Sequence, residues 1–330
     1  MKSLGEIVCI LHDFDGISRK FVLPQIITKI REESYKGGLP HSLGEDCAVI
    51  EIKSDEVVLV TTDSIVEELC LNHPHAAGFN LVLANAMDIY AAGGVPSTIS
   101  VAVSYSDPQV GDQLFQGLIE GSNRFRIPIV RGHTNPRSKF TYVVGSATGR
   151  VRKRDILSAG GAKIGDVIVL LFDQTGKRGS SYRLGWDSVV ERESEVVLER
   201  LSIMNELARM HLVNASKDVS VAGLVGTVGM LLEYSGKGGC IDLESVEQTC
   251  PPSIEFEDWI RMYISLGFLI TLSHDNATKV ASIAAKHGMT SNMIGTVDDS
   301  SALRLRRGCD EHILFDFSKG PVLTPRGTDR

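Results

Sequence analysis

No cysteine pattern in this sequence indicates a zinc ribbon or a disulfide framework. The 330 residues include six cysteines, which are scattered without a Cys-x-x-Cys pair or a regular spacing. In a chain of this length, such cysteines are typical of reduced and mostly buried thiols. We therefore expect neither a structural zinc site nor disulfide bonds.

Long hydrophobic runs and an excess of positive charge are missing as well. No apolar stretch reaches the length that spans a membrane, and the first residues lack the charged and apolar pattern of a leader segment. The 34 Lys and Arg residues against 41 Asp and Glu residues give a net charge of −7, and the basic clusters at 150–154 and 304–307 are short. These features predict a cytoplasmic protein that binds neither membranes nor nucleic acid.

Familiar nucleotide-binding and nucleophile motifs are not found either. No Gly-x-Gly-x-x-Gly follows a strand pattern, so a dinucleotide-binding fold is unsupported. The stretch TGKRGSSY, residues 175–182, matches neither a Walker loop nor a nucleophile elbow. Any phosphate site must therefore be built in another way.

What the sequence does contain is an alternation of strand and helix patterns along its whole length. Hydrophobic residues make up 43% and charged residues 23%, which is typical of a globular protein, and 330 residues suffice for two domains. The alternation predicts an α/β or α+β fold in both halves. The basic, glycine-rich stretch at 152–166 indicates the junction, which predicts domains at 1–156 and 157–330.

A single carboxylate interrupts the most apolar helix pattern. The stretch HAAGFNLVLANAMDIYAAGG, residues 75–94, has the small and apolar side chains of a buried helix and ends at a glycine pair. Asp88 lies in its middle, and Asn85 lies three residues earlier on the same helix face. A buried carboxylate is costly unless a cation or a hydrogen-bond donor meets it. The pattern therefore predicts such a partner for Asp88.

Two more aspartates flank a predicted β-hairpin. In GEDCAVIEIKSDEVVLVTTDS, residues 44–64, apolar runs stand on either side of the polar turn KSDE. If Ser54 and Asp55 form the loop and Lys53 pairs with Glu56, then Asp46 and Asp63 face each other, with Cβ atoms about 5 Å apart. Either a divalent cation such as Mg²⁺ bridges them, or they are solvated strand-end residues. Asp88, folded back over the hairpin, would complete a metal site.

Two further segments are candidates for binding anions. Residues 129–139 are predicted to form a strand that ends at a phosphate-binding turn, or at an ordinary turn; the turn residues are Gly132, His133, Thr134 and Asn135. Residues 216–229 place Lys217, Asp218 and Ser220 just before a glycine-rich helix. The N terminus of that helix is either an anion site or a simple cap.

Four segments in register carry a family resemblance. GEDCAVI, TTDSIVE, NAMDIYAAGGVP and KDVSVAGL resemble the aminoimidazole ribonucleotide synthetase (AIR synthase) superfamily, from about Gly44 to Phe317. Relatives in it include thiamine-monophosphate kinase, selenophosphate synthetase and the hydrogenase-maturation dehydratase. The sequence is most similar to the AIR synthase-related subgroup that includes methanogenesis marker protein 2.

The resemblance implies a two-domain fold whose N-terminal sheets pair across a homodimer. It implies ATP and Mg²⁺ as cofactors, bound in the cleft and near the dimer interface. The acidic motifs of the family align with Asp46, Asp63 and Asp88 as metal ligands. Asp218 aligns with the acidic residue of the second-domain motif and, with Lys217, is predicted to face the substrate. The predicted cofactor-binding residues are Lys20, Thr62, Asn85, Gly132, His133, Thr134, Asn135 and Ser220.

Departures from the family pattern leave the individual activity open. Thiamine-monophosphate kinases carry Gly-Gly-Asp where this chain has Gly132 and His133, and a further Asp where it has Val221 or Ala222. His133 is either a cation on phosphate or a neutral ring beside Thr134. Lys20 has no adjacent reactive cysteine of the selenophosphate synthetase kind, and the C terminus lacks the cysteine of the dehydratase.

Two functions follow from these residues. The first is ATP- and Mg²⁺-dependent phosphoryl transfer to a small molecule, or its activation by phosphorylation. The alternative is a nucleotide-binding maturation or accessory protein that acts on a partner protein with little turnover of its own. Consumption of ATP without a partner protein would discriminate between them.

Overall fold

The protein is described here by a computed structural model, which covers residues 2–35, 43–52 and 54–326. The strands are β1 Ala48–Glu51, β2 Glu56–Ser64, β3 Val95–Tyr105, β4 Ile129–Pro136, β5 Tyr142–Arg152, β6 Val167–Phe172, β7 Lys177–Arg178, β8 Gly185–Asp187, β9 Ala215–Asp218, β10 Gly238–Asp242, β11 Tyr263–Ile264, β12 Gly267–Leu272, β13 Thr290–Asp298, β14 Ala302–Arg307 and β15 Asp310–Asp316. The helices are α1 Leu4–His12, α2 Asp15–Ser18, α3 Leu23–Glu33, α4 Glu67–Asn72, α5 Pro74–Ala91, α6 Pro108–Phe125, α7 Ser194–Arg209, α8 Gly223–Tyr234, α9 Leu243–Thr249, α10 Phe256–Trp259 and α11 Ala277–Lys286.

The N-terminal half forms a five-stranded sheet with the order β1-β2-β5-β3-β4. Helices α5 and α6 pack on one face, as the period-two pattern of β2 shows. Leu59 and Thr61 are buried on that face, whereas Val58 and Val60 are only half-buried on the opposite face, which we call the open face. One side of this sheet is therefore covered within the chain and the other is left accessible.

Glycines let α5 and α6 cross closely. A Cβ on Gly78 would lie 2.1 Å from the Leu114 carbonyl oxygen, and one on Gly117 would lie 1.9 Å from the His75 carbonyl oxygen. Only residues without a Cβ permit backbone contact at this distance. The helix predicted at 75–92 is thus held against the sheet by its neighbour, which fixes the position of Asp88.

The C-terminal half forms a seven-stranded sheet with the order β15-β14-β10-β13-β6-β12-β9. Every residue of β6 and β12 is buried, because helices cover both faces. Val169 and Leu171 belong to the core shared with α7 and α11, whereas Ile168 and Leu170 belong to the core shared with α8 and α9. The short strands β11, β8 and β7 make a third sheet.

The first helices pack on the C-terminal core, a position that the sequence did not predict. Leu4, Ile7 and Leu11 of α1 are buried in one cluster with Leu314 and Phe315 of β15. The chain then passes through α2 and a 3₁₀ turn, Arg19–Val22, before α3. This route brings the turn containing Lys20 to the cleft between the two halves.

The predicted hairpin forms, but its predicted register is wrong by one residue. Ala48 pairs with Val60 and Glu51 pairs with Val57, so Asp46 and Asp63 are not directly opposite. The loop is longer than the two residues expected, since the last pair of the hairpin is Glu51 with Val57. Within the loop, Ser54 Oγ accepts a hydrogen bond from the Glu56 amide at 3.0 Å and donates one to the Glu56 carbonyl at 2.9 Å. Lys53, which was predicted to pair with Glu56, lies outside the described residues.

The turn predicted at 132–135 is also wrong. Gly132, His133, Thr134 and Asn135 continue strand β4, which pairs in parallel with β3 up to Pro136. Their amides and carbonyls are bonded in a ladder because β3 is long enough to extend beside them. Strand β10 ends at Asp242, and helix α9 follows it directly.

The mixed α/β architecture predicted for both halves is confirmed. Asp107 caps α6 by accepting a hydrogen bond from the Gln109 amide at 2.8 Å. The first sheet ends at Arg152 and the second begins at Val167, and the boundary after residue 156 stays a proposal. Among the described residues, none of the helices has the length and apolar character needed to cross a bilayer.

Candidate metal centre

Three carboxylates from distant parts of the chain meet between the two halves. Asp46 lies just before β1, Asp88 lies in α5, and Asp218 ends β9. One oxygen from each lies within 4.8 Å of the others. Strand β9 is the edge of the C-terminal sheet and packs beside α5, which is why residues of both halves converge here.

Asp63 joins this group from the end of β2. Thr61, two residues earlier on the same face of the strand, donates a hydrogen bond from Oγ1 to Asp88 Oδ2. Besides burial, the charge of Asp63 raises the pKa of Asp88, which indicates that the two carboxyl groups are neighbours. The structure thus groups Asp46 and Asp88 with Asp218, and Asp63 lies beside Asp88, although not through the register that was predicted. Their binding of a metal ion stays a prediction.

Burial and mutual repulsion oppose ionisation of this cluster. Burial, followed by the charges of Asp63 and Asp218, raises the pKa of Asp88 well above its ordinary value. Burial likewise raises the pKa values of Asp63 and Asp218. Carboxyl groups in this state gain most from a cation, because a cation restores the charged form.

Two lysines lie within the same cluster. Lys217 Nζ donates a hydrogen bond to Asp46 Oδ1, and the two side chains are only 6% and 4% exposed. Lys20 is half-buried beside Asp63 and Asp218, and burial lowers its pKa while these carboxylates oppose that shift. The packing of α1 and α2 brings Lys20 to this position, and its predicted binding of phosphate stays a prediction.

Sequence reasoning missed two polar side chains at the centre. The hydroxyl of Tyr263 is buried without a hydrogen-bond partner, and burial together with Asp218 raises its pKa well above the ordinary value. Ser216 is 2% exposed, and its Oγ also has no partner. Neither stands in a pattern that predicts a site, since Ser216 appears only as a strand residue and Tyr263 as a core aromatic.

A small cavity borders the carboxylates. It has a volume of about 60 Å³ and is lined by Glu45, Asp46, Ser158 and Ser216, among others. Glu45 accepts hydrogen bonds from Ser158 Oγ at 2.5 Å and from the Ala159 amide at 2.8 Å. The rest of the lining is largely apolar, so the cavity is only partly polar.

The donor set fits a hard divalent cation. The described residues offer carboxylate oxygens within reach of one another, and Asp63 Oδ2 is buried without a hydrogen-bond partner. Mg²⁺ prefers oxygen ligands and commonly takes few carboxylates together with phosphate and water. A bound cation would give the unpartnered oxygen a partner and would favour the ionised form of these carboxyl groups.

Within the part of the chain that the structure describes, three other predicted cofactor-binding residues make no hydrogen bond to the carboxylates. Thr62 is exposed on the open face, where its Oγ1 donates to Ser146 Oγ at 3.0 Å. Asn85 is fully buried, and its Nδ2 donates to the Leu81 carbonyl of its own helix at 2.9 Å, while its Oδ1 has no partner. Ser220 follows Asp218 by two residues, and its Oγ is buried without a partner.

Strand β4 stands at the far edge of the N-terminal sheet. Gly132 shares a lateral row with Asp63, through Gly145 and Val101. Three strand spacings separate them, which is about 14 Å. Within one chain, therefore, residues 132–135 do not touch the carboxylate cluster.

Family models match both halves of the chain. The one described as AIR synthase related protein, N-terminal domain, matches residues 44–151. The one described as AIR synthase related protein, C-terminal domain, matches residues 163–308. The matched segments contain all four aspartates of the cluster and the two sheets, except for β15 and the last residue of β5.

Relatives and solved structures agree with this match. An uncharacterized protein of Methanocaldococcus jannaschii is 31% identical over 319 residues, covering 96% of this chain and 98% of that protein. Thiamine-monophosphate kinase of Buchnera aphidicola is 24% identical over 295 residues, covering 82% and 85%. The structure of T. maritima PurL complexed with AMPPCP has a TM-score of 0.73 at 17% identity, covering 98% of this chain but about half, 52%, of that one. The chain therefore belongs to the AIR synthase related family.

Proposed function

We propose that this protein is an ATP- and Mg²⁺-dependent enzyme that phosphorylates a small molecule or activates it by phosphorylation. The observation that carries the proposal is the carboxylate cluster between the two halves, with the unpartnered Asp63 Oδ2 inside it. The name of the B. aphidicola relative, a kinase, and the AMPPCP in T. maritima PurL support a nucleotide as the ligand. The expected location is the cytoplasm.

The cluster divides into roles by position. Asp46, Asp63 and Asp88 are the proposed metal-holding set, and a bound Mg²⁺ would neutralise charge on the phosphates of ATP. Lys20, in the 3₁₀ turn at the cleft, is proposed to contact phosphate oxygens. Asp218 is the proposed substrate-facing carboxylate, since it ends an edge strand at the domain interface. It would orient an acceptor group by accepting its proton or its hydrogen bond.

A second copy of the chain would complete the site. The half-exposed open face of the N-terminal sheet is proposed to pair across a two-fold axis and form a homodimer. Residues 132–135 do not reach the carboxylate cluster of their own chain, so their proposed phosphate contacts would be made to the partner's nucleotide. The same argument applies to Thr62, which lies on the open face.

Calorimetry with Mg²⁺ and ATP tests the metal-holding set. Asp88→Asn is expected to weaken Mg-ATP binding by at least tenfold, because it removes one charged ligand from the cluster. Asp55→Asn, in the exposed hairpin turn, is the matched control and is expected to bind as the wild type does. Equal affinities for wild type and Asp88→Asn would overturn the assignment.

Formation of ADP tests the reaction itself. Incubation with candidate small acceptors is expected to raise the ADP yield above that with ATP alone, and this rise should vanish in Asp218→Asn. Tight Mg-ATP binding without ADP formation on any acceptor would favour the alternative, a nucleotide-binding accessory protein that needs a partner protein.

A further inference from the structure

Tyr263 carries a buried hydroxyl that no other group among the described residues binds. Strand β11 holds its backbone, since the Tyr263 amide donates to the Leu184 carbonyl at 2.9 Å and the strand pairs in parallel with β8. Its ring packs against the buried core that β6 and β12 share with α7. The backbone and the ring are therefore fixed, and only the hydroxyl lacks a partner.

The charges around this hydroxyl place it beside the carboxylate cluster. Burial, followed by the charges of four carboxylates, raises the pKa of Tyr263 well above its ordinary value; these are Asp218, Asp63, Asp88 and Asp187. Three of the four belong to the cluster, yet the hydroxyl donates a hydrogen bond to none of them. The phenol thus keeps its proton and offers an O–H donor next to the candidate metal site.

Lys20 has two of the same neighbours. Asp218 and Asp63 are the carboxylates whose charges act on its ammonium, and they are also the first two of those that act on Tyr263. The ammonium comes from the 3₁₀ turn at the cleft, whereas the hydroxyl comes from the third sheet. A cation and an O–H donor from separate elements therefore converge on the same two carboxylates.

An oxyanion bound to the proposed metal would supply the missing acceptor. One oxygen of Asp88 and one of Asp218 lie within 4.8 Å of each other, close enough to share a cation. A phosphoryl group on that cation would bring free oxygens to the side of Asp218, where the ammonium and the hydroxyl are suitable donors. In the proposed reaction, the γ-phosphate passes to an acceptor that Asp218 faces. It is therefore the phosphate expected nearest to Tyr263.

We propose that the hydroxyl of Tyr263 donates a hydrogen bond to an oxygen of the γ-phosphate of ATP and so distinguishes ATP from ADP. The inference rests on the proposed function and deepens it, because it assigns a nucleotide-contacting residue besides the four aspartates and Lys20. Negative charge is spread over the phosphoryl oxygens during transfer, and a donor that β11 already holds in place would stabilise that charge without rearranging.

Calorimetry with two nucleotides tests the contact. In the presence of Mg²⁺, Tyr263→Phe is expected to bind AMPPCP about tenfold more weakly than the wild type does, because a hydrogen bond to a charged oxygen is lost. Its affinity for ADP should equal that of the wild type, since ADP has no γ-phosphate. Tyr105→Phe is the matched control. Tyr105 packs edge-on against Phe115, and its variant should bind both nucleotides as the wild type does.

The outcomes separate this contact from the proposed function. Equal AMPPCP affinities for the wild type and Tyr263→Phe would overturn the contact and keep the proposed function. An equal loss for AMPPCP and ADP would also overturn the contact, because the hydroxyl would then act on a part that both nucleotides share. A wild type that binds neither nucleotide would overturn the inference together with the proposed function.

The melting temperature without nucleotide provides a second readout. Tyr263→Phe is expected to melt no lower than the wild type, because the change removes a buried donor that has no partner among the described residues. A variant that melts several degrees lower, or that does not fold, would show that the hydroxyl is bonded within the protein. That result would overturn the inference.

Discussion

The two sheets of this protein differ in how completely the chain covers them. Both faces of the C-terminal sheet are covered at its centre, where every residue of β6 and β12 is buried, whereas β13 and β15 keep exposed residues. The N-terminal sheet is covered by α5 and α6 on one face, while Val58 and Val60 stay half-exposed on the other. The N-terminal sheet therefore has one face that the chain leaves uncovered, whereas the C-terminal sheet is enclosed at its centre.

This difference explains where the cluster lies. The N-terminal half contributes Asp46, Asp63 and Asp88. The C-terminal half contributes Asp218 and Lys217 through its edge strand, β9. Strand β9 holds the buried Lys217 in place, since all four of its residues pair with β12. The N-terminal half supplies carboxylates whose negative charge a bound cation would balance.

The largest effect is expected from a charge placed in the enclosed sheet. Ile270 of β12 is fully buried and pairs with Val169 on one side and Ser216 on the other. Ile270→Asp is expected to lower the free energy of unfolding by about 5 kcal/mol or more, because the carboxylate would be buried without a partner. The protein should be insoluble or unfolded by circular dichroism, whereas Ile270→Val should cost about 1 kcal/mol.

An aspartate introduced on the open face is expected to leave the fold intact and to prevent dimerisation. Val60→Asp places a carboxylate on the face that is proposed to pair with a second copy. Light scattering is expected to show a dimer for the wild type and a monomer for Val60→Asp, with similar melting temperatures for the two folded chains. A wild type that is monomeric at micromolar concentration would contradict the comparison between the two sheets.

A smaller effect is expected at the buried carboxylate of α8. Glu233 is 7% exposed and accepts the amides of Val322, Leu323 and Thr324 at 2.5, 2.7 and 2.6 Å. Glu233→Gln should lower the free energy of unfolding by about 1–3 kcal/mol, because its NH₂ group would face a backbone N–H. Urea denaturation measures this loss, and the exposed Glu32→Gln should change stability by less than about 0.5 kcal/mol.

The smallest effect concerns pH and the metal-free cluster. Burial raises the pKa of Asp88 in the folded protein, so the folded state holds a proton that the unfolded state has lost. The contribution of Asp88 to stability therefore rises as pH falls from neutrality toward the ordinary aspartate pKa, by about 1.4 kcal/mol per pH unit at most. In EDTA, the melting temperature of wild type relative to Asp88→Asn should rise between pH 7.5 and pH 5.5. A difference that does not vary with pH, as expected between wild type and Asp55→Asn, would show that Asp88 is ionised without metal.

Local pattern predicted much of the fold. The apolar runs of β2, β3, β6 and β12 and the helix around Asp88 were visible in the sequence, because alternation and small apolar residues follow from the covered faces. Short strands such as β7, β8 and β11 were missed, since two or three residues carry no period. The length of β4 was missed because only its pairing with β3 makes residues 132–135 part of a strand.

The candidate site likewise combines residues that the sequence indicates with contacts that only the packing of the whole chain creates. By itself, the sequence determined that Asp88 needs a partner, since a carboxylate in an apolar helix is costly wherever that helix packs. It also placed Asp46 and Asp63 near one hairpin. Only the tertiary structure decided that Lys217 contacts Asp46, residues 171 positions apart, and that α1 and α2 bring Lys20 to the cleft. Such contacts depend on how sheets and helices pack across the whole chain, and no local spacing encodes them.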